Sequence, residues 1–210
     1  MRRTPLTVAA MLVCLTVLPA CRDGATTTEP DPTVPTAVLS STSSTAPAAP
    51  DITVVPAIID EPYVNAVLGA LDEIDGRATR IIVSTKSVPK EALTLLQAIF
   101  GTEQFLLESG SWLESLRQDP QLTNVRPDAG ARVTTAERII AASRSCIWLA
   151  VRRDRSGVNV DPGPSRTEYV ELRPVDRAND PGGFNRTPWA IVDDGRTEDD
   201  SEPANPCPGS

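Results

Sequence analysis

The chain has no histidine. That removes the commonest general base at neutral pH and the commonest metal ligand. A Ser-His-Asp or Cys-His site is excluded with it. Lysine is almost as scarce: Lys86 and Lys90 are the only two, so the 20 basic side chains are nearly all arginine, against 28 acidic ones. The resulting net charge of −8 repels phosphate backbones, so nucleic acid is not an expected partner. Beyond the N-terminus no stretch approaches the length of continuous apolar residues that a bilayer-spanning helix needs. No internal repeat is visible, and no residue pattern calls for a cofactor or a metal.

What is present begins at the N-terminus. Arg2 and Arg3 precede an apolar stretch, Val8 to Leu18, broken only by Thr16. It is too short for a lasting membrane span and has the flanks of a signal peptide. Leu18-Pro19-Ala20-Cys21 follows. A small residue and then cysteine, after an apolar segment, resembles the lipobox of a bacterial lipoprotein. The resemblance implies cleavage before Cys21 and lipid on its sulfur. It places the chain on the extracytoplasmic face of the cell membrane, touching the lipid bilayer through Cys21. Losing Arg2 and Arg3 leaves 18 basic against 28 acidic side chains, a net of −10. Arginine in place of lysine, with abundant Ala, Pro, Thr and Asp, suggests a GC-rich genome.

The chain divides into residues 1–20, a signal peptide; 21–51, the lipidated cysteine and a linker; 52–193, one domain; and 194–210, an acidic, Pro-rich tail. Of the 27 residues from Gly24 to Pro50, 21 are Ser, Thr, Pro or Ala. Such a segment cannot bury enough apolar surface to offset chain entropy. As a flexible coil it reaches roughly 30 Å.

In the domain, Asp60-Glu61-Pro62 reads as a helix start and Gly76 as its stop, with Val64, Val67, Leu68, Leu71 and Ile74 between them at helical spacing. Ile81-Ile82-Val83 fits a short strand or a helical turn. Ser87 and Pro89 open a second helix, and Thr102 caps a third whose buried stripe is Phe105, Leu106, Trp112, Leu113 and Leu116. Gln118 to Gly130 reads as a loop. Strands are expected over Val133 to Ser143, around Ile147 to Val151, over Thr167 to Arg173 and over Pro188 to Val192. Helices first and antiparallel strands later predict an α+β fold.

This order is similar to the NTF2-like cone, in which N-terminal helices cover a strongly curved antiparallel sheet. Asn185-Arg186-Thr187-Pro188-Trp189-Ala190-Ile191 resembles the closing segment of actinobacterial lipoproteins with NTF2-like domains. A cone normally carries a hairpin among its helices, and here only Arg80 to Ser84 could supply part of one. The fold hosts enzymes, transport factors and binding modules, so the resemblance implies little about activity.

Candidate chemistry is sparse. Asp154, Glu168 and Glu171 lie on or near strands. Pointing inward, one of them could serve as a base with its pKa raised by burial. The preferred reading puts them on the solvent face, opposite Ile147, Leu149, Val170 and Leu172. The cluster Asp193, Asp194, Glu198, Asp199, Asp200 and Glu202 lacks the spacing and central glycine of a calcium loop, and reads as a solvated tail. Trp112 belongs to a helical stripe; Trp148, Tyr169 and Trp189 are candidate pocket-lining residues. The Asn185-Arg186-Thr187 tripeptide is followed by Pro188 and carries no weight as a glycosylation site. With Cys14 in the signal peptide and Cys21 lipidated, Cys146 and Cys207 remain to form a disulfide in an oxidising compartment.

The leading expectation is therefore a non-catalytic binding or interaction module of the cell envelope, serving an unknown envelope protein or a small ligand. The alternatives are a carboxylate-based enzyme of isomerase or dehydratase type, and a purely structural envelope protein.

Overall fold

Asp60 starts the first helix as the sequence predicts: its carboxylate accepts from the Tyr63 backbone N–H at 3.0 Å, with Pro62 in the first turn. The structure, a computed structural model, describes residues 49–195 and 201–207. Cys21, the signal peptide and nearly all of the linker lie outside the described residues, as do Glu198, Asp199 and Asp200.

Helix α1 spans Glu61–Thr85 and does not stop at Gly76. A Cβ on Gly76 would lie 2.7 Å from the Ala131 Cα, so this glycine admits a neighbouring backbone and does not end the helix. Ile81, Ile82 and Val83 are accordingly helical, and α1 closes at Lys86 in the left-handed region, φ 52°. Among the described residues no strand precedes the main sheet, and Arg80 to Ser84 supplies no hairpin.

Helix α2, Lys90–Ile99, follows Pro89 and buries Ala92, Leu95, Leu96, Ala98 and Ile99. Helix α3, Thr102–Gln118, has Gly101 and not Thr102 as its N-cap. Its expected stripe is not buried. Leu106 and Leu113 are exposed, and Phe105, Trp112 and Leu116 are only half-buried. The fully buried residues of α3 are Gln104 and Ser109. The reason is what the helix packs on: the ground beneath it is partly charged, so polar side chains turn inward.

Four antiparallel strands form one sheet in chain order: β1 Val133–Ser143, β2 Cys146–Asp154, β3 Thr167–Pro174 and β4 Trp189–Gly195. Register shifts between Ala136 and Arg138, and between Ile139 and Ala141, account for the blurred alternation of β1. Strand β4 runs past residue 193, so Asp194 belongs to the sheet and not to a solvated tail.

The helix-facing side of the sheet carries Ile147, Leu149, Val151, Val170, Leu172, Trp189 and Ile191, packed on α1 and α2. Trp189 Nε1 donates to the Tyr63 hydroxyl at 2.8 Å, and that hydroxyl donates to the Val54 carbonyl at 3.0 Å. A parallel bridge, Phe100 to Ile191, ties the α2–α3 junction to β4.

The opposite side is covered as well. Cys146 and Cys207 form a disulfide, Cα to Cα 5.5 Å. They bury a small cluster with Ala141, Trp148, Ala150 and Tyr169. The returning tail is also held by an Arg138–Glu202 ion pair and by Arg173, which donates to the Pro206 carbonyl at 3.1 Å. The sheet is thus sandwiched between helices and its own C-terminal strap. Among the described residues no helix is long and apolar enough to cross a membrane.

Candidate functional site

The helix-facing rows of the sheet are apolar over most of their length and turn charged at one end. On β2 the in-phase series Ile147, Leu149, Val151 continues to Arg153; on β3 Leu172 and Val170 continue to Glu168; on β4 the row ends at Asp194. Arg153 Nη1 donates to Glu168 at 2.7 Å and also to Asp194, and all three side chains are at most 4% exposed. Arg155, just beyond β2, holds the Glu168 carboxylate at 2.8 and 2.9 Å through its two terminal nitrogens.

Arg132 enters from the segment before β1. Its Nε lies 3.4 Å from both Asp72 and Asp75 of α1, and its Nη2 lies 3.9 Å from Asp194. Burial works against its charge, but Asp75, Asp194, Asp72 and Glu108 outweigh burial and hold the guanidinium more firmly protonated. Asp72 is further occupied by Thr134, whose N–H and hydroxyl donate to it at 2.6 and 2.9 Å. Even so, burial raises its pKa above the ordinary 3.8.

Glu108 of α3 faces this group across a cavity. Burial raises its pKa above the ordinary 4.5; Arg132 opposes that, and Asp194 and Asp75 reinforce it. Gln104 donates to Glu108 at 3.2 Å. The cavity measures about 430 Å³, with Asp75, Glu108, Trp112, Asp119, Arg132 and Arg155 on its walls. An adjoining hollow of about 350 Å³ shares Glu108, Arg132 and Arg155 and reaches Arg153, Glu168 and Asp194. One wall is built from two loops stitched by backbone bonds. Arg126 N–H donates to Val158 O at 2.8 Å, Gly130 N–H to Gly157 O at 2.8 Å, and Val160 N–H to Asn124 O at 2.9 Å. Leu122, Ala129 and Val125 anchor that wall against Val83, Trp112 and Leu116.

Three guanidinium groups therefore meet five carboxyls: Asp72, Asp75, Glu108, Glu168 and Asp194. The arginines are engaged with carboxylates of the site itself. Among the described residues, Asp194 Oδ2 is buried with no hydrogen-bond partner, and the Nε atoms of Arg132 and Arg153 are in the same condition. Buried polar atoms left this way are costly unless a bound molecule or water completes them.

The residues singled out from sequence are distributed otherwise. Asp154 is exposed, and its carboxylate accepts from the Ser156 N–H at 2.8 Å. Glu168 is buried and belongs to the charged cluster; it does not face solvent. Glu171 is also buried, but on the strap side of the sheet, paired with Arg173. Trp148 and Tyr169 stack at 5.7 Å between ring centroids beneath the strap, and Tyr169 also edges a shallow depression there. Trp189 lies in the core on the other side, so the three aromatic residues do not meet in one pocket. Among the described residues no group of three or more Asp, Glu or Cys is placed to hold a metal. Sequence reasoning missed Arg132, Arg153, Arg155, Asp72, Asp75 and Glu108. A signal for Arg153 was present, since it lies two residues beyond Val151 in the same alternating phase. No family model, curated protein or solved structure matches the chain.

Proposed function

We propose that the chain is a lipoprotein anchored at Cys21 on the extracytoplasmic face of the membrane, and that its domain, an NTF2-like cone, is a non-catalytic binding module for a small organic cation. One observation carries the ligand class. The cavity and its adjoining hollow are lined by five carboxyls, Asp75, Glu108, Asp119, Glu168 and Asp194, and by Arg132, Arg153 and Arg155, and the arginines are engaged with carboxylates of the cluster itself. The acceptors with room for a further donor are Glu108, which takes a hydrogen bond from Gln104, and Asp194 Oδ2, which lies 3.9 Å from Arg132 Nη2, beyond hydrogen-bond reach. An ammonium or guanidinium group donates to both, and Trp112, which lines the larger cavity with Glu108, suits the rest of such a molecule.

Calorimetric titration of the full chain with agmatine and spermidine, with citrate as the anionic counter-probe, tests the reading. Agmatine or spermidine binds, citrate does not, and Glu108→Gln weakens binding by about tenfold, as expected for one partly buried charge-assisted hydrogen bond. Because Glu108 must be ionised to attract a cation and its pKa is raised, affinity falls as the pH is lowered toward 4.5, and the fall begins above that value. Citrate binding that survives Glu108→Gln would overturn the cation assignment.

A second reading, a carboxylate enzyme of isomerase or dehydratase type, is favoured by one feature. Glu108 is a carboxyl with a raised pKa on a cavity wall, the property expected of a general acid. The two readings separate on whether a bound molecule is recovered unchanged.

A further inference from the structure

We infer that the outer face of α3 is the contact surface of a homodimer, in which a second copy of this chain packs antiparallel across Gly110. Leu106, Leu107 and Leu113 are the exposed large apolar side chains of α3, at 62, 62 and 58% exposure. At 100° per residue they fall on one strip of the helix, with Gly110 at its centre. Gly110 is exposed, and a Cβ built on it meets nothing within 4 Å. Nothing inside the domain therefore requires glycine there, although glycine weakens a helix interior. The missing side chain leaves room for a backbone approaching from outside.

The charges select the occupant. Glu103 and Arg117 lie on the same strip, at equal distances along the chain before and after Gly110. A two-fold axis through Gly110 brings equidistant residues of the two copies face to face. Glu103 then joins the pair that the second copy's Arg117 makes with its own Glu114 at 2.6 and 2.7 Å, Leu107 meets its Leu113, and Leu106 covers the stem of its Glu114. Gly110 meets itself at the crossing. A parallel arrangement would set Glu103 against Glu103. An anionic membrane surface is disfavoured by Glu103 and Glu114.

Sedimentation equilibrium of the full chain in density-matched detergent tests this. The strip is small, so a reversible dimer in the micromolar range is expected. Leu107→Arg weakens it by about tenfold or more. Glu103→Arg and Arg117→Glu each weaken it by roughly three- to tenfold, through like-charge contact, and the double exchange restores it. These positions are exposed, and the Arg117–Glu114 pair that Arg117→Glu breaks is a surface pair of small weight, so circular dichroism of every variant keeps the folded signature of the parent. A monomer up to about 100 µM, a dimer indifferent to Leu107→Arg, or a double exchange without rescue would each overturn the assignment. So would a monomer that dimerises only after residues 22–48 are deleted, since the linker would then be what covers the strip.

Discussion

Asn185 shows how much one buried side chain can organise. It is fully buried, and every polar atom of its amide is used. Nδ2 donates to the Ala98 carbonyl at 3.0 Å and to the Trp189 carbonyl at 2.8 Å. Oδ1 accepts from the Thr187 N–H at 2.9 Å and from its hydroxyl at 2.8 Å. One amide thus joins the end of α2 to the start of β4. Asn185→Ala leaves these groups unpaired away from water and should cost about 2–4 kcal/mol, read as a lower urea midpoint at unchanged slope. In the sequence this residue stands out as the start of the closing segment and as part of a tripeptide resembling a glycosylation site, and neither points to its role as a buried hydrogen-bond hub. Hydrogen-bond partners 87 positions apart leave no local trace. Glu168 is a milder case: its phase with Val170 and Leu172 is legible, whereas its pairing with Arg153 depends on strand register.

Elements were more legible than side-chain roles. Asp60 and Pro62 mark the start of α1, and the alternation of Ile147, Leu149 and Val151 marks β2, because capping and pleat periodicity are local. Errors arose where tertiary contacts override local rules. Gly76 sits within a helix where its missing side chain admits Ala131, and α3 turns Glu108 toward the charged cavity and leaves Leu106, Leu107 and Leu113 exposed. The strap could be read from a cysteine count, since a tail cysteine with no apolar neighbours needs a partner. Its disulfide closes a sequence separation of 61 residues. Replacing both cysteines by serine should lower stability by at most about 4 kcal/mol in the chain-entropy model. Limited proteolysis should then cut the released 201–207 segment first. Intact mass under non-reducing conditions, compared with the reduced chain, should show the missing hydrogen pair.

For the whole molecule, the α+β class follows from the order of helix-like and strand-like stretches, and the structure has that order. The cavity does not follow, because its charges come from α1, α3, the segment before β1 and three strands. The proposed anchor makes its own test. Full-length chain should partition into the detergent phase, and Cys21→Ala should shift it to the aqueous phase; retention of both in detergent would place the anchor elsewhere. The strand order carries a last consequence, for assembly. Each strand pairs with its neighbour in sequence, so the sheet is dominated by short-range connections that close quickly. A chain emerging N-terminus first can add β2, β3 and β4 one edge at a time onto helices already present. Cys146 starts β2, whereas Cys207 comes after β4. The Cys146–Cys207 bond therefore cannot form until the residues of all four strands have emerged, so the strap is the last part of the sheet's surroundings that the growing chain can close.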